Sequence, residues 1–198
     1  MQYSETFVQP SEGRAYGHIP QGLDNYSLSL IDDVVTNYLL QKPLASDETD
    51  QERLLRTRIA KLCKLLAEAN GCLRSISKQF EKAVMLSGHD FGSFENTEGL
   101  PTLELAAQLK KERDERWDGK GSRLGLAGTD IGLITRAYHI CDAYIRLISS
   151  NESAHLGRSE NYAAAFEVLY EEAGRRYDPS LVERLYSDVV GELIAGNH

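Results

Sequence analysis

Cysteine is scarce in this chain of 198 residues: there are three, Cys63, Cys72 and Cys141. The number is odd and no two are spaced as C-x-x-C, which argues against a disulfide framework and against a zinc ribbon. They are expected to pack as small apolar residues inside helices. Long hydrophobic runs are missing as well. No apolar stretch approaches the roughly 18 residues that a membrane span needs. Met1 to Pro10 lacks the basic flank and apolar run of a secretory leader. A soluble, cytoplasmic protein is expected, with no membrane partner. Positive charge is also short, with 22 Lys and Arg against 30 Asp and Glu and a formal charge of -8. A protein that coats a nucleic-acid polymer needs a basic face, so no such partner is expected. A local basic pocket for one small phosphoester stays open. Proline is rare too. Its five positions fall in the first residues (Pro10, Pro20) or where a helix is expected to stop (Pro43) or start (Pro101, Pro179).

What is present is ordinary for a globular chain, with 41% hydrophobic and 26% charged residues, and the length suits one domain. Residues 1–25 carry Pro10, Gly13, Gly17, Pro20 and Gly22 without a sustained period and read as an irregular arm. Residues 26–198 then form the folded domain. A first helix is expected over 28–41, with Leu28, Ile31, Val34, Val35, Tyr38 and Leu39 on its inner face, followed by an acidic linker, Leu44 to Asp50.

The strongest stripe is Leu55, Ile59, Leu62, Leu66 and Ala69, closed by Gly71. A shorter amphipathic stretch, Ile76 to Val84, leads into Gly88-His89-Asp90-Phe91-Gly92. Pro101 to Glu115 reads as a helix with Leu103, Leu105, Ala106 and Leu109 inward. After a glycine cluster, Thr129 and Asp130 are N-cap candidates for a helix whose stripe runs Ile134, Ala137, Tyr138, Cys141, Ile145 and Ile148. Tyr162, Phe166, Leu169 and Ala173 form another, closed by Gly174. Asp178 and Pro179 are the N-cap and N1 of the last, carrying Val182, Leu185, Tyr186, Val189 and Leu193. Alternation with period two wins nowhere. The expected fold is all-α, a single bundle of about six or seven helices.

Two groups of residues suggest chemistry. Imidazole beside carboxylate, as in His89-Asp90, suits a first-row divalent metal, while the flanking glycines equally suit a turn. Asp142 lies next to an apolar stripe, where it is either turned inward or paired with Arg146 one turn later. His139 could add a nitrogen on the same face, or be simply packed. Lys110, Lys111, Arg113, Arg116, Lys120 and Arg123 gather around the glycine loop as a phosphate-holding surface would, yet they interleave with Glu112, Asp114, Glu115 and Asp118 as a solvated face does. Trp117 is expected to anchor this loop.

The stretch Leu103 to Ser149 resembles the carboxy-terminal half of an HD-GYP domain, the cyclic-di-GMP phosphodiesterases of the HD phosphohydrolase superfamily. The residues that carry the resemblance are Leu105-Ala106-Ala107, Glu115-Arg116-Trp117-Asp118-Gly119-Lys120-Gly121, Gly125-Leu126-Ala127-Gly128, Ile131, Arg136 and Cys141-Asp142-Ala143-Tyr144. The family writes this region H-H-E-x-W-D-G-x-G-Y-P, then G-L-x-G, then A-D-x-Y-D-A. Glu171-Glu172-Ala173-Gly174 with Tyr177-Asp178-Pro179 and Val182-Glu183 resembles its closing E-A-G-x-x-F-D-P-x-x-V-E. Arg58 to Glu68 and Ala83 to Gly92 resemble its opening helix and its L-H-D-I-G dyad.

The resemblance implies an HD-type helical bundle and a centre of two or more metal ions that activate water. The departures fall on that centre. The paired histidines are Arg113 and Asp114, the amino-terminal histidine falls at or near Leu55, Gly-Tyr-Pro is Gly121-Ser122-Arg123, and the R-P-Y-K loop is Ser149-Ser150-Asn151-Glu152. Ser93 replaces the lysine after the dyad. The chain is also shortened between 92 and 113. Either His89-Asp90 is the dyad with residues missing after it, or Met85 to Gly92 corresponds to the later M-x-x-H-x-x-I-G helix and the dyad is gone.

At most three ligands survive, His89, Asp90 and Asp142. The expectation is therefore a catalytically impaired HD-GYP-like domain, a binding or regulatory module in cyclic-di-GMP-type signalling. Its partner would be a protein, a second copy of the chain or a cyclic dinucleotide. Glu115, Arg116, Asp118, Lys120, Arg123 and Arg136 are the ligand-binding candidates, and no cofactor is required. The competing expectation is a divergent metal-dependent phosphohydrolase with one iron or manganese ion at His89, Asp90 and Asp142. A purely structural subunit is the third.

Overall fold

The computed structural model describes residues 25–41, 49–88, 99–121, 124–152 and 158–191. Over these the protein is all-α, with seven α-helices and no strand among the described residues. They are α1 (Asn25–Gln41), α2 (Asp50–Ala69), α3 (Arg74–Leu86), α4 (Pro101–Glu112), α5 (Leu133–Glu152), α6 (Arg158–Glu171) and α7 (Pro179–Arg184). A 3-10 turn, Gly128–Asp130, precedes α5, and a π-helical turn, Leu185–Val190, extends α7. No described helix is long and apolar enough to cross a membrane.

The predicted stripe of α2 is the spine of the core. Ile59, Leu62 and Leu66 are buried, and Cys63 and Cys141 pack as interior residues as expected, whereas Cys72 lies between α2 and α3 and is only half-buried. At its start Thr49 and Glu52 form a reciprocal capping box, with the Glu52 amide donating to Thr49 Oγ1 at 3.2 Å and the Thr49 amide to Glu52 Oε2 at 3.0 Å. At its end Gly71, with φ of 85°, lets the Cys72 amide reach the Ala67 carbonyl at 3.0 Å. One side of α2 packs with α5, α6 and α7 around Cys141, Phe166, Leu169 and Val182. On the other side, α1, α3 and α4 enclose Leu39, Phe80, Leu86 and Leu103.

Two helix starts are capped by carboxylates from other helices. Asp32, buried in α1, accepts the Thr102 amide at 3.1 Å and the Thr102 hydroxyl at 2.6 Å at the first turn of α4. Burial pushes the Asp32 carboxyl above its ordinary value against the opposing pull of Thr102. This cap corrects the expected face of α1. Ile31, Asp32, Val35, Thr36 and Leu39 turn inward, whereas Val34 and Tyr38 are exposed.

Glu112, the last residue of α4, accepts the Gly132 amide and the Thr135 hydroxyl, both at 2.9 Å, and so caps α5. The expected caps Thr129 and Asp130 lie instead in the 3-10 turn. Helix α4 stops three residues before Glu115, leaving that residue in the following loop. Asp178 does cap α7 as expected, accepting the Ser180 amide at 2.9 Å with Pro179 at N1. The π turn after α7 leaves Tyr186 exposed. Ser149-Ser150-Asn151-Glu152 forms the last turn of α5 and not a loop.

Candidate functional site

The loop after α4 folds around the carboxylate of Glu115, which is buried and accepts the amides of Leu124 at 2.5 Å and Leu126 at 3.0 Å. The backbone crosses itself here. A Cβ on Gly121 would stand 2.6 Å from Glu115 Cα and 2.7 Å from the Asp114 carbonyl, so only glycine fits. Asp118 accepts the Lys120 amide at 3.0 Å and two bonds from the Arg116 guanidinium, at 3.0 and 3.2 Å. Desolvation opposes its charge, but these partners outweigh it and hold the Asp118 carboxyl below the usual range. Trp117 is tied by its backbone to Arg176 and Gly128. Its ring also lies 5.9 Å from the Arg136 guanidinium. Arg136 in turn bonds Asp178 and the Ile131 carbonyl. Glu115 and Asp118 thus brace the loop from within, and Arg136, on α5, joins it through Trp117 to Asp178 at the start of α7.

Beneath this loop lies a cleft of about 780 Å³ between the end of α4, α5 and the turn after α6. Arg113, Arg116, Tyr138, His139, Asp142 and Arg146 are among its walls. A smaller cleft of about 190 Å³ adjoins it, bounded by Glu52, Leu55, Arg56, Gly88 and, in common with the first, Arg113, Tyr138 and Arg146. The Arg56 guanidinium lies against Gly88 so closely that a Cβ there would meet it.

Asp142 faces the larger cleft with both oxygens engaged, because Arg146 Nε donates to them at 2.9 and 3.0 Å. The Tyr138 hydroxyl stands 3.5 Å from the same carboxylate and accepts from Arg113 at 3.4 Å. His139 does not turn toward Asp142 as a co-ligand. Its Nε2 meets the Arg113 carbonyl at 2.8 Å, and since a carbonyl only accepts, Nε2 carries the proton. Burial lowers the His139 pKa from its ordinary value, against the opposing effect of that bond.

The fold therefore brings together, around two adjoining clefts, the positions that the resemblance assigns to metal ligands: Leu55, the end of α3, Arg113, Asp114 and Asp142. Among the described residues, no group of three or more His, Cys, Asp or Glu is arranged to hold a metal ion. The donor set there does not fit a multinuclear centre, since leucine and arginine offer no lone pair and Asp142 is bound to a cation already. His89 and Asp90 lie outside the described residues, as does Arg123. Of the other ligand-binding candidates, Glu115 and Arg116 line the larger cleft. Asp118, Lys120 and Arg136 line neither cleft.

Sequence reasoning missed Arg56, Arg146 and Arg176 as wall residues. Five arginines face four carboxylates across the two clefts, in a chain of net charge -8. No protein-family model matches this chain, and no curated protein matches it.

Proposed function

We propose that this chain is an HD-GYP-like helical domain that has exchanged its metal centre for an arginine-lined cleft and acts as a non-catalytic binding or regulatory module. One observation carries the reading: positions given to metal ligands by the resemblance border adjoining clefts, yet hold Leu55, Arg113, Asp114 and an Asp142 bound to Arg146. A metal-dependent hydrolase needs open coordination and a bound water whose acidity the ion raises. Guanidinium groups supply charge without either. They bind an anion and leave it intact.

On this reading the domain works in cyclic-di-GMP-type signalling, with a cyclic dinucleotide or a protein as partner. The test is to incubate the protein with cyclic-di-GMP in the presence of Mn²⁺ or Fe²⁺ and to follow binding and linearisation together. Binding without turnover is expected. Turnover that disappears in Asp142→Ala overturns the proposal in favour of a one-ion phosphohydrolase at His89, Asp90 and Asp142. Absence of both binding and turnover removes the dinucleotide and leaves the protein partner.

A further inference from the structure

The wall shared by the two clefts has a chemistry of its own. Arg113, at the end of α4, places its guanidinium 5.9 Å from the Tyr138 ring centre and reaches the hydroxyl with one Nη. Arg146, on α5, commits only Nε to Asp142, and its two Nη nitrogens make no hydrogen bond among the described residues. The carboxylates nearby are largely engaged. Glu115 is turned to the Leu124 and Leu126 amides, Glu52 to the Thr49 capping box, and Asp142 to Arg146. Asp114 alone among them is an exposed, open acid.

We infer that this shared wall is a binding site for a phosphate monoester dianion, gripped by Arg113 and Arg146 with the Tyr138 hydroxyl between them. Guanidinium is planar and permanently charged, and its fork of donors matches phosphate oxygens two at a time. Three terminal oxygens serve two forks, whereas the two oxygens of a carboxylate match only one. The larger cleft, about 780 Å³, leaves room beside Leu147, Val168 and Tyr177 for the organic part of such a ligand. Asp142 is a built-in competitor, an anion occupying part of the fork that the phosphate would take.

The inference rests on reading this cleft as a binding site and not on the hydrolytic ancestry. It is tested by calorimetric titration of the full chain at low salt with inorganic phosphate, with GMP and with cyclic-di-GMP. Arg113→Ala and Arg146→Ala are each expected to weaken phosphate and GMP binding about tenfold or more. Lys120→Ala is expected to leave binding unchanged. Asp142→Asn is expected to tighten binding several-fold, the reverse of what a metal-ligand role would give. Thermal melts of each variant exclude unfolding, and Arg146→Lys, which keeps charge without the fork, should recover only part of the affinity.

No phosphate binding at millimolar concentration, or equal losses in Lys120→Ala and Arg113→Ala, overturns the inference. If phosphate and GMP bind but cyclic-di-GMP does not, the inference stands and the dinucleotide reading fails. Cyclic-di-GMP binding without phosphate or GMP binding does the opposite.

Discussion

Replacing Glu112 with alanine removes the carboxylate that joins the end of α4 to the start of α5. That junction sets Arg113 against Tyr138. The side chain accepts from Gly132 N and Thr135 Oγ1, each at 2.9 Å, and from Gln108 Nε2 at 3.0 Å, in surroundings that leave it 7% exposed. Hydrogen bonds to a charged acceptor contribute about 1.5 to 3 kcal/mol each, and a buried donor left bare adds a desolvation cost. Two interior donors lose their partner here, while the Gln108 amide can turn to water, so at the lower end of that range the expected loss is about 3 to 4 kcal/mol. For a chain of this length that corresponds to a fall in Tm of about 6 to 15 °C.

Urea unfolding followed by far-ultraviolet circular dichroism and by Trp117 fluorescence measures it. Glu112→Gln, which keeps one acceptor oxygen, is expected to lose about half as much. Thr135→Val should cost about 1 kcal/mol in the wild type and little once Glu112 is alanine. A Glu112→Ala variant within about 1 kcal/mol of wild type, or additive effects of the two substitutions, would refute the assignment of this carboxylate as the cap of α5.

Gly121→Ala must push apart the backbone of Glu115 and Asp114. It is expected to cost about 1 to 3 kcal/mol and to change Trp117 emission, which a urea titration reads directly. His139→Gln keeps a donor for the Arg113 carbonyl but does not titrate. Because the native His139 pKa lies below the ordinary 6.5, with Asp142 and Asp114 opposing and Arg176 assisting the burial effect, the unfolded chain takes up the proton first as pH falls. Wild-type stability is therefore expected to decline relative to His139→Gln below about pH 6.5 and to run parallel to it above. A constant difference between pH 5 and pH 8 would contradict that environment for the ring. Asp32→Ala should destabilise by about 1 to 2 kcal/mol at neutral pH, measured by thermal melting, through loss of the cap on α4.

Periodicity was a sound guide along α2 and α5, whose apolar stripes are largely buried, but not for Ile76 in α3 or Tyr186 after α7, which are exposed. The α2 stripe, Gly71 as its stop and the Asp178-Pro179 start of α7 all stand in the structure as their local chemistry requires. It misled at α1, because Asp32 and Thr36 face inward and the polar residue that caps α4 is 70 positions away from its partner. The same holds for Glu112, whose partners are 20 and 23 positions on, so Thr129 and Asp130 offered a nearer but incorrect cap. A cap supplied by another helix has no local spacing to betray it.

The cleft was legible only in part. Arg113 stood out as a departure at a position that the resemblance gives to a ligand, and Asp142 paired with Arg146 was one of two open readings. Arg56 and Arg146 lie on α2 and α5 and Arg113 directly follows α4, and each sits among mixed charges that read along the chain as a solvated surface. Folding alone brings them to one wall.

Elemental analysis of the purified protein, after incubation with manganese or iron and removal of excess ion, distinguishes an arginine-lined cleft from a metal centre. Wild type, His89→Ala and Asp142→Ala are measured side by side. An arginine-lined cleft without a metal centre predicts no stoichiometric transition metal in any of the three. About one ion per chain in the wild type, lost in both variants, would contradict it and restore a metal site at His89, Asp90 and Asp142.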